Sequence, residues 1–322
     1  GDHRDLHRLI RRQRQMCIRD SYKDLVSVLK FTTVAYARDI EVKVPENAYF
    51  SLFNSPYPAH RTGTAIDIYF DHEAFLPILE GRVLEIKWFR SPKIRRDSSS
   101  IEPLILIEVG ENMVLKVLHI KPSVKPNEKL HLGDTLGKLM VSGYFYPWTT
   151  PHAHFELRSR RDPYRARGAY PLVLASTFKL KPKLSTLNME YRVSEVYESY
   201  MWLEARGLGK KPTTGLFARI EDEYGFIDGG IPHYKYGAVL GIKSLEGIVK
   251  VNGGTIGKSI EFNENGTIFK PLARFTVDGK PITGIGSYIN TKLVKAIGLG
   301  KVSLKSGDIV RLGLQNGKEN SC

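Results

Sequence analysis

The sequence is poor in cysteine: its two thiols, Cys17 and Cys322, lie near opposite ends of 322 residues. Two such distant thiols exclude a disulfide framework and leave the redox compartment open. Long apolar runs are missing too. Leu104–Ile107 and Val114–Ile120 are broken by Glu108, Lys116 and His119, far short of the roughly 20 residues that cross a bilayer as a helix. The expectation is a soluble chain with no transmembrane segment. Also lacking are an internal repeat, a low-complexity tract and any nucleic-acid-binding motif, so no specific nucleic-acid partner is expected. Gly1–Asp20, rich in Arg and Gln, has no apolar stretch to serve as a signal-peptide core. Its run Gln15–Ser21 resembles translated read-through at the edge of a gene; a short basic helix is the plainer reading.

What is present reads as an ordinary globular chain, with 42% hydrophobic and 25% charged residues. The length suits two domains of roughly 150 residues each. A formal charge of +14 favours an anionic partner. The local clusters at Arg11–Arg14, Lys93–Arg96, Arg158–Arg167 and Lys179–Lys183 are read as solvated surface.

Strand patterns dominate from residue 40 onward. Ile66–Phe70 alternates, Gly81–Lys87 reads as a half-buried strand, and Leu104–Val109 and Met113–Ile120 flank the hairpin signal Gly110-Glu111-Asn112. Gly133–Leu139 is a turn and strand, and His152–Leu157 alternates cleanly. Residues 90–103 read as a polar loop, and Arg158–Lys183, with its charges, prolines and glycine, as the exit from a first domain. Tyr191–Arg206 carries apolar residues near helical spacing, with Gly207 as its stop. Asn252-Gly253, Asn265-Gly266 and Asp278-Gly279 mark further hairpins, Thr291–Ile297 a short helix, and Gly307-Asp308 precedes a last strand. The expected fold is therefore mostly β. A basic segment 1–39 precedes an antiparallel sheet domain over 40–175; a linker 176–190 then leads to a β-rich domain over 191–322 with one or two helices.

Nine histidines are present, and their placement singles out five residues. His60 stands in a loop, and Asp67 lies on the strand that follows. His152 and His154, two apart, share one face of a strand. His119 lies between these motifs. Two imidazoles and a carboxylate meet the needs of a catalytic zinc site, which offers three protein ligands and leaves a fourth position open. Taken singly, His-x-His is weak. His72 and His131 read as exposed, His233 as a surface or binding residue, and His3 and His7 belong to the terminal segment.

Together the motifs resemble the lysostaphin-type zinc endopeptidases, which cut peptide crosslinks in bacterial cell walls. The order His60…Asp67, Val117-Leu118-His119-Ile120, Pro151-His152-Ala153-His154-Phe155-Glu156 follows that family, as do Glu80-Gly81-Arg82-Val83 and Leu132–Gly137 between them. The resemblance covers residues 40–175. It implies that His60, Asp67 and His154 hold Zn2+ and that His119 and His152 are catalytic. Glu156, on the same strand face, is expected to support a metal-bound histidine. The implied activity is hydrolysis of a peptide or crosslinked cell-wall substrate, which the basic charge allows to be anionic. The aromatic stretch Gly143–Pro151 replaces a glycine-rich approach in the family and points away from a glycine-rich substrate. The family role implies an extracellular or cell-envelope location; without it the expectation is cytoplasmic. Two other readings stay open: an inactive relative that binds a polymer or partner, and a biotinyl- or lipoyl-type carrier, for which no hairpin lysine of the required form is found.

Overall fold

The computed structural model describes residues 29–176, 187, 189–206, 216–298 and 303–315. The clusters Arg11–Arg14 and Lys179–Lys183, both cysteines, His3, His7 and Gly207 lie outside the described residues.

The first half contains β1 (Phe31–Ala37), β2 (Ile40–Pro45), β3 (Tyr49–Ser51), α1 (Pro58–Arg61), β4 (Ile66–Tyr69), β5 (Glu73–Phe75) and β6 (Glu80–Arg90). It continues through β7 (Ile101–Val109), β8 (Met113–Leu118), β9 (Ile120–Pro122), β10 (Lys129–His131), β11 (Thr135–Leu139), β12 (Ala153–Ser159) and β13 (Val173–Leu174). Seven of these strands form one antiparallel sheet in the order β10-β6-β7-β8-β12-β4-β3. The hairpin expected at Gly110 is there, with Val109 opposite Met113 and Gly110 in the left-handed region that glycine tolerates.

Because side chains alternate along a strand, the sheet has two distinct faces. Ile105, Ile107, Leu115, Val117, Phe155 and Leu157 enter the main core. The opposite face carries Glu102, Lys116, His154, Glu156 and Arg158, all buried. His154 and Glu156 thus occupy the sheet face turned away from that core.

The second half contains β14 (Glu190–Val196), β15 (Tyr200–Ala205), β16 (Leu216–Ile220), β17 (Glu223–Ile231), β18 (Gly237–Leu240), β19 (Ile248–Val251) and β20 (Gly254–Phe262). It ends with β21 (Gly266–Pro271), β22 (Phe275–Val277), β23 (Lys280–Pro281), β24 (Gly284–Ser287), β25 (Leu293–Ile297) and β26 (Ile309–Leu314). Strands β16-β19-β20-β21-β18-β17 are neighbours in that order, and the pairing of β16 with β17 closes them into a six-stranded barrel. Strand β17 then leaves the barrel at Gly229, whose residues onward pair with β24 in a curled sheet.

Three sequence expectations are corrected. Tyr191–Arg206 is not a helix but the hairpin β14–β15, turned at residues 197–199. Tyr191 and Val193 are buried around an exposed Arg192, and Tyr200–Leu203 is buried on both faces, so spacing that mimicked a helix belongs to two strands. Thr291–Ile297 is likewise no helix: residues 293–297 form β25, paired with both β24 and β15. The exit segment is not a solvated linker at its start. Arg158 is fully buried, and Leu172 and Ala175 return to the core, with β13 pairing β1. That pairing extends the first unit back to Phe31, within the segment read as a basic tail.

The two halves share a core. Phe217, Phe226, Tyr236, Leu240, Ile268 and Ile289 of the second pack into the cluster built by the first. A separate aromatic cluster joins Tyr69 of the first half to Tyr200, Trp202 and Tyr288 of the second.

Candidate metal centre

Sheet register assembles the site. In the β12–β4 pairing His154 lies opposite Asp67, and in the β12–β8 pairing it lies opposite Leu118. His119 follows at the end of β8 in a left-handed conformation, φ +69°, which few non-glycine residues adopt without a compensating contact. The compensation is Glu102 on β7, fully buried, whose Oε1 accepts both the backbone N–H of His119, at 3.0 Å, and a hydrogen bond at Nδ1. Ser142 donates to Oε2 of the same carboxylate at 2.5 Å. His60 sits in the short helical turn α1, rather than in an open loop, just after Pro58 sets the first helical position.

Three of the five sequence-selected residues converge most closely. His154 Nδ1 is 2.9 Å from Asp67 Oδ1 and 3.1 Å from His60 Nε2, and His60 Nε2 is 3.2 Å from Asp67 Oδ1. All three side chains are buried, and they form a group able to hold a metal ion. The remote nitrogens are already engaged. His60 Nδ1 donates to the Leu52 carbonyl at 2.8 Å, and His154 Nε2 to Glu156 Oε1 at 3.0 Å. The nitrogens turned toward Asp67 therefore meet a carboxylate among buried side chains, an arrangement that needs a positive charge among them.

The remaining two imidazoles flank this group. His152 Nε2 is 3.3 Å from Asp67 Oδ2, while its Nδ1 donates to the Thr150 carbonyl at 2.8 Å. The His119 ring centroid lies 5.4 Å from that of His152 and 5.7 Å from that of His154.

The electrostatics separate these groups. Burial works against ionising Asp67, but the charges of His152 and His60 and the hydrogen bond from His154 hold its carboxyl well below the usual range. Burial pushes His152 down to about 4 despite the pull of Asp67. Burial also disfavours charge on His154, yet hydrogen bonds to Asp67 and Glu156 raise it to about 9. Without a metal, a proton supplies the positive charge. Burial opposes ionised Glu102, and the charge and hydrogen bonds of His119 outweigh it, holding that carboxyl below its ordinary value.

Glu156, whose Oε1 accepts from His154 Nε2, is itself held by Lys116 at 2.8 Å and Arg158 at 2.5 Å. Sequence reasoning missed Glu102, Ser142 and this basic pair. Glu102 sat inside a stretch read as loop; its signal was the alternation Glu102-Leu104-Leu106, which puts it on the face of Lys116 and Leu118. Arg158 was counted among surface charges and is instead a fully buried partner.

A cleft of about 230 Å³ opens over the site. Phe89, Leu104 and Leu118 line one side, and Tyr57, Tyr144 and Tyr146 another, with the Tyr57 hydroxyl bonded to the Tyr144 carbonyl at 3.0 Å. Tyr234 of the second half also reaches the cleft. The aromatic stretch before His152 thus helps to shape it. His72 and His131 are exposed. His233 is half-buried: its ring packs against Trp148 and Tyr234, and both its nitrogens are buried.

Residues 40–174 match the Domain of unknown function (DUF8155) N-terminal domain, and residues 187–315 match the C-terminal domain of the same description. No curated protein and no solved structure matches the chain. The two matched stretches correspond to the two structural halves. None of the described helices is long and apolar enough to cross a membrane.

Proposed function

We propose that the chain is a zinc-dependent endopeptidase similar to the lysostaphin type, hydrolysing peptide bonds in a crosslinked cell-wall or related substrate. One observation carries the reading: three ligand atoms converge in a buried pocket with two further imidazoles beside them. Tetrahedral zinc with bonds of about 2.0–2.1 Å sets neighbouring donors about 3.3 Å apart, and the separations here are 2.9, 3.1 and 3.2 Å. The donor set fits zinc, with His60 through Nε2, His154 through Nδ1 and Asp67 through Oδ1. Bound there, zinc supplies Lewis acidity, polarising a peptide carbonyl and acidifying water.

The chain's own residues supply the rest. With Nδ1–H given to the Thr150 carbonyl, His152 keeps its Nε2 lone pair, and burial keeps the ring neutral, as a base must be. It takes the proton of the attacking water and returns it to the leaving amine. His119, held at Nδ1 by the Glu102 carboxylate, stabilises the negative charge developing on the substrate oxygen. Glu102 plays the part of the orienting acid in a carboxylate–histidine pair. The net charge of +14 suits an anionic polymer.

The test begins with metal. The purified protein should carry about one zinc per chain, lost in His60→Ala, Asp67→Ala and His154→Ala. His119→Ala and His152→Ala should keep zinc but lose on the order of 100-fold in cleavage of a crosslinked-peptide panel. Full zinc retention in all three ligand variants would overturn the reading. Stoichiometric zinc with no cleavage of any peptide would favour the binding module instead.

A further inference from the structure

Lys295 is a buried lysine that reaches the edge of the site from the second half of the chain. It lies on β25 and is 1% exposed. Its Nζ sits 4.5 Å from the ring centroid of Tyr200, 4.7 Å from that of Trp202 and 5.4 Å from that of Tyr288. No carboxylate pairs with it among the described residues. Its hydrogen bonds go to the Trp148 carbonyl at 3.0 Å and to Thr150 Oγ1 at 2.7 Å.

Burying an ammonium without a counter-ion costs several kcal/mol, and an apolar side chain of similar volume fills such a space more cheaply. Burial alone drives the lysine well below its ordinary pKa. The aromatic faces offset part of that cost by cation–π attraction, but they do not require a donor. Trp148 and Thr150 do. The strand that carries His154 begins just beyond them, and Thr150 holds His152 through its carbonyl at 2.8 Å. The second half grips the same segment elsewhere. Ser199 donates to the Pro147 carbonyl at 2.8 Å, and the Trp148 indole donates to the Tyr234 hydroxyl at 3.2 Å. Residues 147–150 are therefore tied to the second half at both backbone and side-chain level.

We propose that Lys295 is a positioning residue: it fixes Thr150 from the second half of the chain and, through the Thr150 carbonyl, sets the tautomer and aim of His152. The kinetic consequence rests on the peptidase reading; the structural one does not. The second half is then an integral part of the site rather than a substrate-recruiting appendage.

Lys295→Met tests this, because it keeps an unbranched stem in the aromatic cage and removes the donors. Thr150→Val keeps shape and carbonyl while removing the side-chain acceptor. In zinc-free protein, the His152 Nδ1–H resonance in nitrogen–proton NMR reports its bond to Thr150. That signal should shift or be lost to exchange in Lys295→Met and shift in Thr150→Val. In zinc-loaded protein, kcat should fall about tenfold or more in Lys295→Met with KM within about twofold and zinc content unchanged, as expected for misaligned chemistry. The double variant should be no worse than Lys295→Met alone, since the Lys295–Thr150 bond that Thr150→Val removes is already lost there. An unmoved His152 signal together with parental kcat overturns the proposal, even if the unfolding midpoint drops, because a purely structural lysine predicts that pattern. Should Lys295→Met fail to fold, Thr150→Val decides by the same two readouts. If no peptide is cut by the parent, the peptidase reading fails, and the NMR signal still decides whether Lys295 positions His152.

Discussion

Replacing His233 with leucine should make the protein markedly less sensitive to acid. Both ring nitrogens of His233 are buried. The ring is wedged against the backbone, where a Cβ on Gly230 or Gly284 would fall 2.5 or 2.6 Å from its nitrogens. Burial, reinforced by the charge of Lys295 and opposed in part by a hydrogen bond to the Ile231 backbone, drives its pKa from 6.5 down to about 3. The folded form thus refuses a proton that the unfolded chain accepts below 6.5. Stability is intact above that value and is lost as the pH falls from 6.5 toward 3. At pH 4.5, two units below the unfolded pKa, the loss is about 3 kcal/mol at 1.36 kcal/mol per unit. Leucine has a similar volume and no titrating atom. Urea unfolding of parent and variant at pH 7.5 and 4.5 gives four stabilities, and the carboxylates common to both proteins cancel in the double difference. That difference should favour the variant at pH 4.5 by about 2–3 kcal/mol. A value below about 1 kcal/mol would refute the reasoning, since the imidazole would then have water or a partner when charged.

Asp228 should behave in the opposite sense. Burial raises its carboxyl to about 7 against the hydrogen bonds from Ser51, Leu52 and Phe53, so the folded state holds a proton that the unfolded state releases near 3.8. Its contribution is full below about pH 4 and is lost as the pH rises through 7. Asp228→Asn mimics the protonated form and should gain on the parent between pH 4 and 8 by a few kcal/mol in urea unfolding; parallel curves would count against it. Residues 29–176 expressed alone should fail to fold cooperatively, because Phe50, Phe53 and their neighbours lose Phe217, Phe226 and Tyr236 from a shared core. Bound hydrophobic dye and a broad thermal transition are expected, and a sharp, dye-free transition would show that the first half is autonomous.

The convergence of His60, Asp67 and His154 was legible because its parts are short-range motifs. An imidazole pair two residues apart on an alternating strand must share a face, and His60 and Asp67 are close in sequence. Glu102 was not legible, because its role depends on the β7–β8 register and on a left-handed turn at His119 that no local pattern specifies. The mostly β class was readable from alternation and from hairpin signals such as Asn252-Gly253 and Asp278-Gly279, whose residues take the positive φ that such turns demand. The hairpin β14–β15 was misread because a strand buried on both faces, Tyr200–Leu203, shows no alternation, and its apolar run merged with Val193 and Val196 into an apparent helical stripe. Closure of the barrel by β16 and β17 and the shared core were beyond reach for the same reason as Glu102: they are contacts between segments far apart in the chain.

Two of those long-range contacts have the same construction. Asp228 takes hydrogen bonds from the Ser51 hydroxyl and the amides of Leu52 and Phe53, and the Leu52 carbonyl accepts the Nδ1–H of His60. Lys295 donates to Thr150, and the Thr150 carbonyl accepts the Nδ1–H of His152. In each case a buried ionisable residue of the second half secures a short backbone segment of the first, and that segment fixes one imidazole by its remote nitrogen. An apolar contact could supply the same adhesion more cheaply, but it is non-directional and would leave the carbonyl, and so the ring, free to rotate. A hydrogen bond to a named carbonyl-bearing residue sets direction as well as proximity. Asp228 and Lys295 thus place directional contacts of this interface behind His60 and His152, and Phe217, Phe226 and Ile268 add non-directional apolar contact.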